Sequence, residues 1–233
     1  MKNEDCSPVD NGKRSAGFAA AEYVTNGMVV GLGTGSTVAF AMERLAERIS
    51  GGLSIQGVPT SIQTAIRARS LGIPLLSPDS FDRIDLTIDG ADQIDPGLRL
   101  IKGRGAAHVR ERIIADASSL LIVVADPSKL CDRLSGPVPI EIIPFALCHV
   151  IARLSRTGGR PVIREGVKKD GPVFSDNGNI VLDYHPLGIE DPLEMEMILN
   201  NIPGVVGCGI FAEYSEKTLV IVGETSGPRC IKL

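Results

Sequence analysis

The run LLIVVA at 120–125 constrains this chain more than any other feature. Six apolar residues in a row put hydrophobic side chains on both faces of a strand. Such a strand needs cover on both sides, as in a parallel sheet with helices above and below. The sequence before it has the rhythm that builds such a sheet. Residues 16–24 read as a helix and 28–32 (MVVGL) as a buried strand. Residues 37–49 read as an amphipathic helix, with Val38, Ala41, Met42 and Leu45 apolar and Glu43, Glu47 and Arg48 polar. Ser36 stands where its N-cap is expected. Strands at 53–58, 84–88 and 99–102 alternate with helices at 61–70 and 106–117. The expected class is α/β: a Rossmann-like, doubly wound domain with ligand chemistry at the carboxyl ends of its strands.

After Pro137 the rhythm changes. Strands are expected at 138–142, 161–164, 180–183 and 205–211, with a helix at 145–154. A second helix starts at Asp191-Pro192-Leu193-Glu194, with Asp as N-cap and Pro in the first turn. Asp176-Asn177-Gly178-Asn179 is a turn signal. The order β-α-β-β-α-β is that of a smaller ferredoxin-like α+β domain. A last strand at 219–222 returns to the first sheet. The expected division is therefore 1–135 with 208–233 as the Rossmann-like catalytic domain, and 136–207 as the insertion.

The chain has 233 residues, 43% hydrophobic and 22% charged, with a net charge of -4. That is enough for a real core, and the acidic balance argues against a nucleic-acid partner. The longest uncharged run, 23–42, contains Gly27, Gly31, Gly33 and Gly35, so no membrane span is expected. The polar N-terminus has no signal-peptide core, and its first dozen residues are expected to be frayed. Cys6, Cys131, Cys148, Cys208 and Cys230 are scattered and odd in number. They read as plain thiols of a reducing compartment, not as a disulfide or zinc framework. His108, His149 and His185 form no ligand pattern, so no metal is expected.

Five segments carry chemistry. GLGTGST (31–37) joins a strand to a helix. Its glycines let the backbone approach an anion, the helix start offers free N–H groups, and Ser36 and Thr37 add hydroxyls. A phosphate site is favoured over a plain turn. A dinucleotide site would need glycine at Ser36 and an acidic end to the next strand. PTSIQT (59–64) reads mainly as a helix cap. In 79–95, which holds six Asp, the strand delivers Asp89 and Asp92 to its end, where paired carboxylates bind a metal, move protons or hold sugar hydroxyls. In LIKGRGAAHVRE (100–111), Lys102 ends a strand, Gly103 and Gly105 form a loop, and Glu111 lies in the next helix. Lysine there suits an oxyanion and a desolvated glutamate suits a base, although Glu111 alone reads better as half of an exposed helix pair. His108 and Arg110 read as solvated helix positions. In ADPSK (125–129), Lys129 either reaches the same crevice or is a solvated turn residue.

Taken in order, these segments resemble the ribose-5-phosphate isomerase A family. KRSAGFAA (13–20), GGRP (158–161), DNGN (176–179) and IPGVVGCGIFA (202–212) extend the resemblance over nearly the whole chain. The resemblance implies reversible conversion of ribose 5-phosphate to ribulose 5-phosphate in the pentose phosphate pathway, in the cytoplasm. It implies no metal or other cofactor, a phosphosugar as the partner, and a homodimer or dimer of dimers. It makes Glu111 the base moving a proton between C1 and C2, and Lys102 the partner of the enediolate oxygen. Asp89 and Asp92 would serve ring opening and hydroxyl binding. The implied substrate-binding set is Thr34, Gly35, Ser36, Thr37, Lys129 and Lys13, with Gly103 and Gly105.

Two positions depart from the family pattern. The family usually reads DGADE where this chain has Gln93, and has glycine where Arg104 stands. The competing readings are a sugar-phosphate-binding protein or an inactive paralogue of the same fold. A deaminase or lactonase of sugar phosphates would share a phosphate loop but not the DGAD and KGRGAAHVRE segments, and a coenzyme A transferase rests on fold analogy alone.

Overall fold

The computed structural model describes residues 8–77, 80–224 and 226–233. In chain order its elements are α1 (Pro8–Ala21), β1 (Val29–Leu32), α2 (Ser36–Ser50), β2 (Gln56–Pro59), α3 (Ile62–Ser70), β3 (Ile84–Asp89), β4 (Gln93–Ile94) and β5 (Leu100–Ile101). Then follow α4 (His108–Ala117), β6 (Ser118–Ala125), β7 (Val138–Ile142), α5 (Leu147–Arg156), β8 (Arg160–Ile163), β9 (Ile180–His185) and α6 (Pro192–Asn200). The last strands are β10 (Val205–Cys208), β11 (Ile210–Phe211), β12 (Thr218–Glu224) and β13 (Gly227–Ile231). Cys6 and Asp79 lie outside the described residues.

These elements fall into two compact units. The first takes the described residues of Met1–Gly90, Ile113–Leu130 and Glu216–Leu233, and the second takes Ala91–Arg112 and Cys131–Ser215. Residues 91–112, 131–135 and 208–215 thus cluster with the second unit, not with the first as the sequence reading had them.

The first unit holds a six-stranded sheet in the order β13-β12-β6-β3-β1-β2. Every pairing among β2, β1, β3, β6 and β12 is parallel, and β13 adds an antiparallel edge. The expected doubly wound sheet is present. Its core runs from Ala16 and Ala20 of α1 through Val38, Met42 and Leu45 of α2 to Leu86, Ile122 and Ile221 of the strands. The strand order reverses between β1 and β3, which are neighbours while β2 lies on the outer side of β1. In open α/β sheets, ligands bind beyond the strand ends at such a reversal.

Helix α1 begins at Pro8 and not at residue 16, so residues 8–12 are helical rather than frayed. The reason is long-range packing. A Cβ on Gly12 would lie 2.6 Å from the Gly223 carbonyl oxygen of β12, and one on Gly17 would lie 2.7 Å from the Ala41 nitrogen of α2. Helix α2 also differs at its start. Gly35, with φ 131°, is its N-cap, and Ser36 is its first residue. Left-handed backbone of this kind favours glycine.

The second unit holds a four-stranded antiparallel sheet, β10-β7-β9-β8, with α5 and α6 in the connections. That is the ferredoxin-like order expected from the sequence. Asp191 caps α6 as expected, accepting from the N–H groups of Leu193 and Glu194 at 2.9 and 3.2 Å. A three-stranded sheet, β11-β5-β4, completes the unit. The single strand expected at 205–211 is split at Gly209 into β10 and β11, which belong to different sheets. A Cβ at Gly209 would sit 2.2 Å from the Lys102 carbonyl oxygen, so only glycine lets the chain pass there.

Candidate active site

In the first unit, the β1–α2 loop lies at the sheet's point of reversal. Gly31 of β1 and Gly33 of the loop give room to the neighbouring strand β3. A Cβ on Gly31 would lie 1.9 Å from Thr87 Oγ1, and one on Gly33 would lie 2.1 Å from Asp89 Oδ1. This close approach seats the Asp89 carboxylate against the loop. Asp89 is buried, and its Oδ1 accepts from the N–H groups of Gly90 (2.7 Å) and Thr34 (3.2 Å). Gly35 differs, because nothing lies within 4 Å of where its Cβ would stand. Gly35 and Ser36 are exposed, whereas Thr37 is buried.

Thr34 is tied down by its hydroxyl, which bonds the hydroxyls of Thr60 (2.9 Å), Ser61 (2.8 Å) and Thr64 (3.2 Å). Thr64 also donates to the Gly33 carbonyl at 2.8 Å, and Thr60 to that of Leu32 at 3.1 Å. The PTSIQT hydroxyls therefore brace the loop, and Ser61 caps α3 by accepting from the Thr64 N–H at 3.1 Å. A cleft of about 630 Å³ opens beside the loop, lined in part by Gly33, Gly35, Ser36, Gln63, Thr64 and Arg67.

Asp126 caps the 3-10 turn that carries Lys129, accepting from the Ser128 N–H at 3.0 Å. Partial burial pushes the Asp126 carboxyl up. The bonds from Ser128 and the charges of Lys129 and Lys13 outweigh it, leaving the carboxyl below its ordinary value. Lys13 and Lys129, 116 positions apart in the chain, thus act on one carboxylate.

The second unit holds the other group of residues. Lys102 follows β5, and Glu111 lies in the first turn of α4. Their side chains are 3% and 6% exposed and form an ion pair at 3.1 Å from Nζ to Oε2. Glu111 is therefore not half of an exposed helix pair. The Lys102 ammonium also stands 5.5 Å from the centre of the Phe211 ring. Burying either charge alone would cost several kcal/mol, so each requires the other. Between them runs the loop with Gly103 (φ 106°) and Ala106 (φ 58°) in left-handed conformations. Gly103 is buried and Gly105 exposed. Asp92 accepts from the Arg104 N–H at 2.9 Å.

Comparison with known proteins gives this arrangement its context. The family model described as ribose 5-phosphate isomerase A (phosphoriboisomerase A) matches residues 56–227. The chain is 53% identical to ribose-5-phosphate isomerase A of Methanoregula boonei, over 91% of this chain and 89% of the relative. The chain belongs to the ribose-5-phosphate isomerase A family. A further member, from Methanosarcina acetivorans, is 50% identical over 88% of each chain. The solved structure of ribose 5-phosphate isomerase A from Methanocaldococcus jannaschii superposes with a TM-score of 0.91 at 40% identity, covering 96% of this chain and 99% of that one. A D-ribose-5-phosphate isomerase in complex with phospho-erythronic acid gives 0.92 at 45% identity, covering 97% and 99%.

The two departures from the isomerase pattern have plain structural roles. The Gln93 amide oxygen accepts from the N–H groups of Ser135 (2.8 Å) and Gly136 (3.0 Å). Either an amide or a carboxylate oxygen can accept there. Arg104 is 82% exposed and reaches Asp92 at 3.8 Å.

A further sequence expectation fails at His108. His108 is fully buried rather than solvated, and burial pushes its imidazole down to about 3. Sequence reasoning also missed three supports. Arg164 contacts the loop carbonyls of Gly103 and Arg104 at 2.9 and 3.0 Å. The buried carboxylate of Glu141 accepts from Asn177 (3.0 Å) and Asn179 (2.8 Å). Arg112 pairs with buried Glu196, which also accepts from the Ala212 N–H at 2.8 Å. Only the DNGN turn signal marked any of these.

Among the described residues, no group of three or more His, Cys, Asp or Glu is placed to hold a metal ion. No helix there is long and apolar enough to cross a membrane. Cys208 is buried, which pushes its thiol up to about 11, as suits an inert core thiol.

Proposed function

We propose that this protein interconverts D-ribose 5-phosphate and D-ribulose 5-phosphate through an enediolate intermediate. The observation that carries the reading is the buried Lys102–Glu111 pair at 3.1 Å. Aldose–ketose isomerisation removes a weakly acidic proton beside a carbonyl, so it needs a base at carbon and fixed positive charge at oxygen. The Glu111 carboxylate takes the proton from C2 of the open-chain aldose. The electron pair moves to the carbonyl oxygen, where the Lys102 ammonium balances the charge. A proton then passes from the C2 hydroxyl to the C1 oxygen, and Glu111 returns the first proton to C1, which leaves a C1 hydroxyl and a C2 carbonyl. One carboxylate serves both directions, so the cycle closes without a redox cofactor or a metal. Asp92 and Asp89 hold sugar hydroxyls and assist ring opening.

The phosphate is assigned to the β1–α2 loop, where Ser36 and Gly35 are exposed at the N-terminus of α2. Thr37, Lys13 and Lys129 complete that set, Thr34 shapes it, and Gly103 and Gly105 belong to the substrate loop. The solved relative in complex with phospho-erythronic acid supports a phosphorylated sugar here. The pathway is the non-oxidative pentose phosphate pathway and the location the cytoplasm. A homodimer or dimer of dimers is supported by the exposure of Phe145, Leu187 and Met197 in the second unit, and light scattering of the purified chain counts the copies. A sugar-phosphate-binding protein needs contacts to hydroxyls and phosphate, as Asp89 and Asp92 offer, but has no use for a buried carboxylate–ammonium pair such as Glu111 and Lys102.

The test is turnover. Purified protein treated with a chelator should convert ribose 5-phosphate to ribulose 5-phosphate. Glu111→Gln should lower kcat by roughly a hundredfold or more, with a smaller change in KM. An inactive parent, or a Glu111→Gln protein with parental kcat, would overturn the assignment.

A further inference from the structure

Arg164 is anchored before its side chain does anything. Its N–H donates to the Val181 carbonyl at 3.0 Å, and its own carbonyl accepts from Val173 at 2.7 Å. The guanidinium then grips Asp183 with two bonds, Nε to Oδ2 at 2.9 Å and Nη2 to Oδ1. Asp183 lies in β9 opposite Val162 of β8, so the pair is fixed by sheet register. The side chains are only 16% and 23% exposed. This leaves Nη1, and it donates to two successive carbonyls, Gly103 at 2.9 Å and Arg104 at 3.0 Å.

These two carbonyls belong to the loop between Lys102 and Glu111. In a trans peptide the C=O and N–H point in opposite directions. The Gly103–Arg104 peptide is held at both ends, its carbonyl by Arg164 and its N–H by the Asp92 carboxylate at 2.9 Å. The Arg104–Gly105 peptide has its carbonyl on the same guanidinium, so the Gly105 N–H is turned away from it. The loop also carries strain, because Ala106 has φ 58°. A non-glycine residue in that region costs of order 1–3 kcal/mol and persists where its surroundings over-determine it.

We propose that Arg164, oriented by Asp183, is a positioning residue for the isomerisation: it sets the direction of two consecutive peptide groups in the substrate loop beside Lys102. Its charge is paired with Asp183, and its part in holding the loop is the geometry of the fork. This rests on the isomerase reading, but the tests separate the two.

Arg164→Ala should lower kcat for ribose 5-phosphate 10- to 100-fold, roughly the loss that follows a misplacement of about 1 Å, with a smaller change in KM. Arg164→Lys keeps the charge without the fork, so it should restore little, whereas added guanidinium should partly rescue Arg164→Ala. The Ala106 N–H, bonded to the Gly103 carbonyl at 3.0 Å, should lose hydrogen-exchange protection in Arg164→Ala beyond any loss shared by the amides of β8 and β9. A folded Arg164→Ala protein with kcat within threefold of the parent and parental exchange at Ala106 would overturn the proposal. Full recovery in Arg164→Lys would do so too. Should Arg164→Ala fail to fold, Asp183→Asn carries the test: reduced kcat at parental Tm supports the proposal, and parental kcat rejects it. An inactive parent would sink the isomerase reading, and exchange at Ala106 would still decide the role of Arg164.

Discussion

His108 opens helix α4 with no solvent exposure. Its Nε2 lies 3.3 Å from the Gly207 carbonyl, and its buried Nδ1 has no hydrogen-bond partner among the described residues. Burial pushes the imidazole down to about 3. The Gly207 carbonyl opposes this, and the nearby charges of Arg164, Arg112 and Lys102 add to it. The sign follows from proton counts. Unfolded histidine titrates near 6.5, so between pH 6.5 and about 3 the unfolded chain binds a proton that the folded chain refuses. Stability from this residue is therefore intact above 6.5 and falls as the pH drops through that window. The slope is at most about 1.4 kcal/mol per pH unit, or about 2 kcal/mol by pH 5. Urea unfolding at pH 7 and pH 5 should show the loss in the parent and a flatter response in His108→Leu. Equal responses would mean that the acid sensitivity arises elsewhere.

At the scale of elements, the Gly12–Gly223 contact decides where α1 lies. A Cβ on Gly223 would stand 1.8 Å from the Gly12 carbonyl oxygen, a backbone atom that cannot rotate away. Gly223→Ala should therefore lower stability by about 1–3 kcal/mol, read as a fall in Tm, with the helix pushed off β12. An unchanged Tm would show that the two backbones can part cheaply. The same contact explains what the sequence could and could not reveal. Apolar runs such as LLIVVA announce their own burial, and the chemistry-bearing motifs sit at strand ends where local pattern finds them. The start of α1 depends on a glycine more than two hundred positions away. The glycines at 31 and 33 look like an anion loop locally, yet they answer to Thr87 and Asp89 of β3. Arg164 stands alone in its segment, and its meaning comes from carbonyls about sixty residues earlier. Strands β4 and β11 are two residues long, too short for any alternation to register.

Across the whole molecule, the residues assigned to one reaction differ in their access to solvent. Gly35 and Ser36 are exposed, and Lys13 and Lys129 are half-buried. The Lys102 and Glu111 side chains are almost wholly enclosed. Dissolved ions screen the first kind of charge and hardly reach the second, since at about 0.15 M salt fields in water fade within about 8 Å. Substrate capture and proton transfer should then respond differently to ionic strength. Raising potassium chloride from 0.02 to 0.5 M should increase KM for ribose 5-phosphate several-fold and leave kcat within about twofold. A kcat that fell in parallel with affinity would mean that counter-ions reach the Lys102–Glu111 pair during turnover. Otherwise the shielding of that pair makes salt a dial for occupancy alone, so the rate at saturating substrate is the same in dilute buffer and in brine.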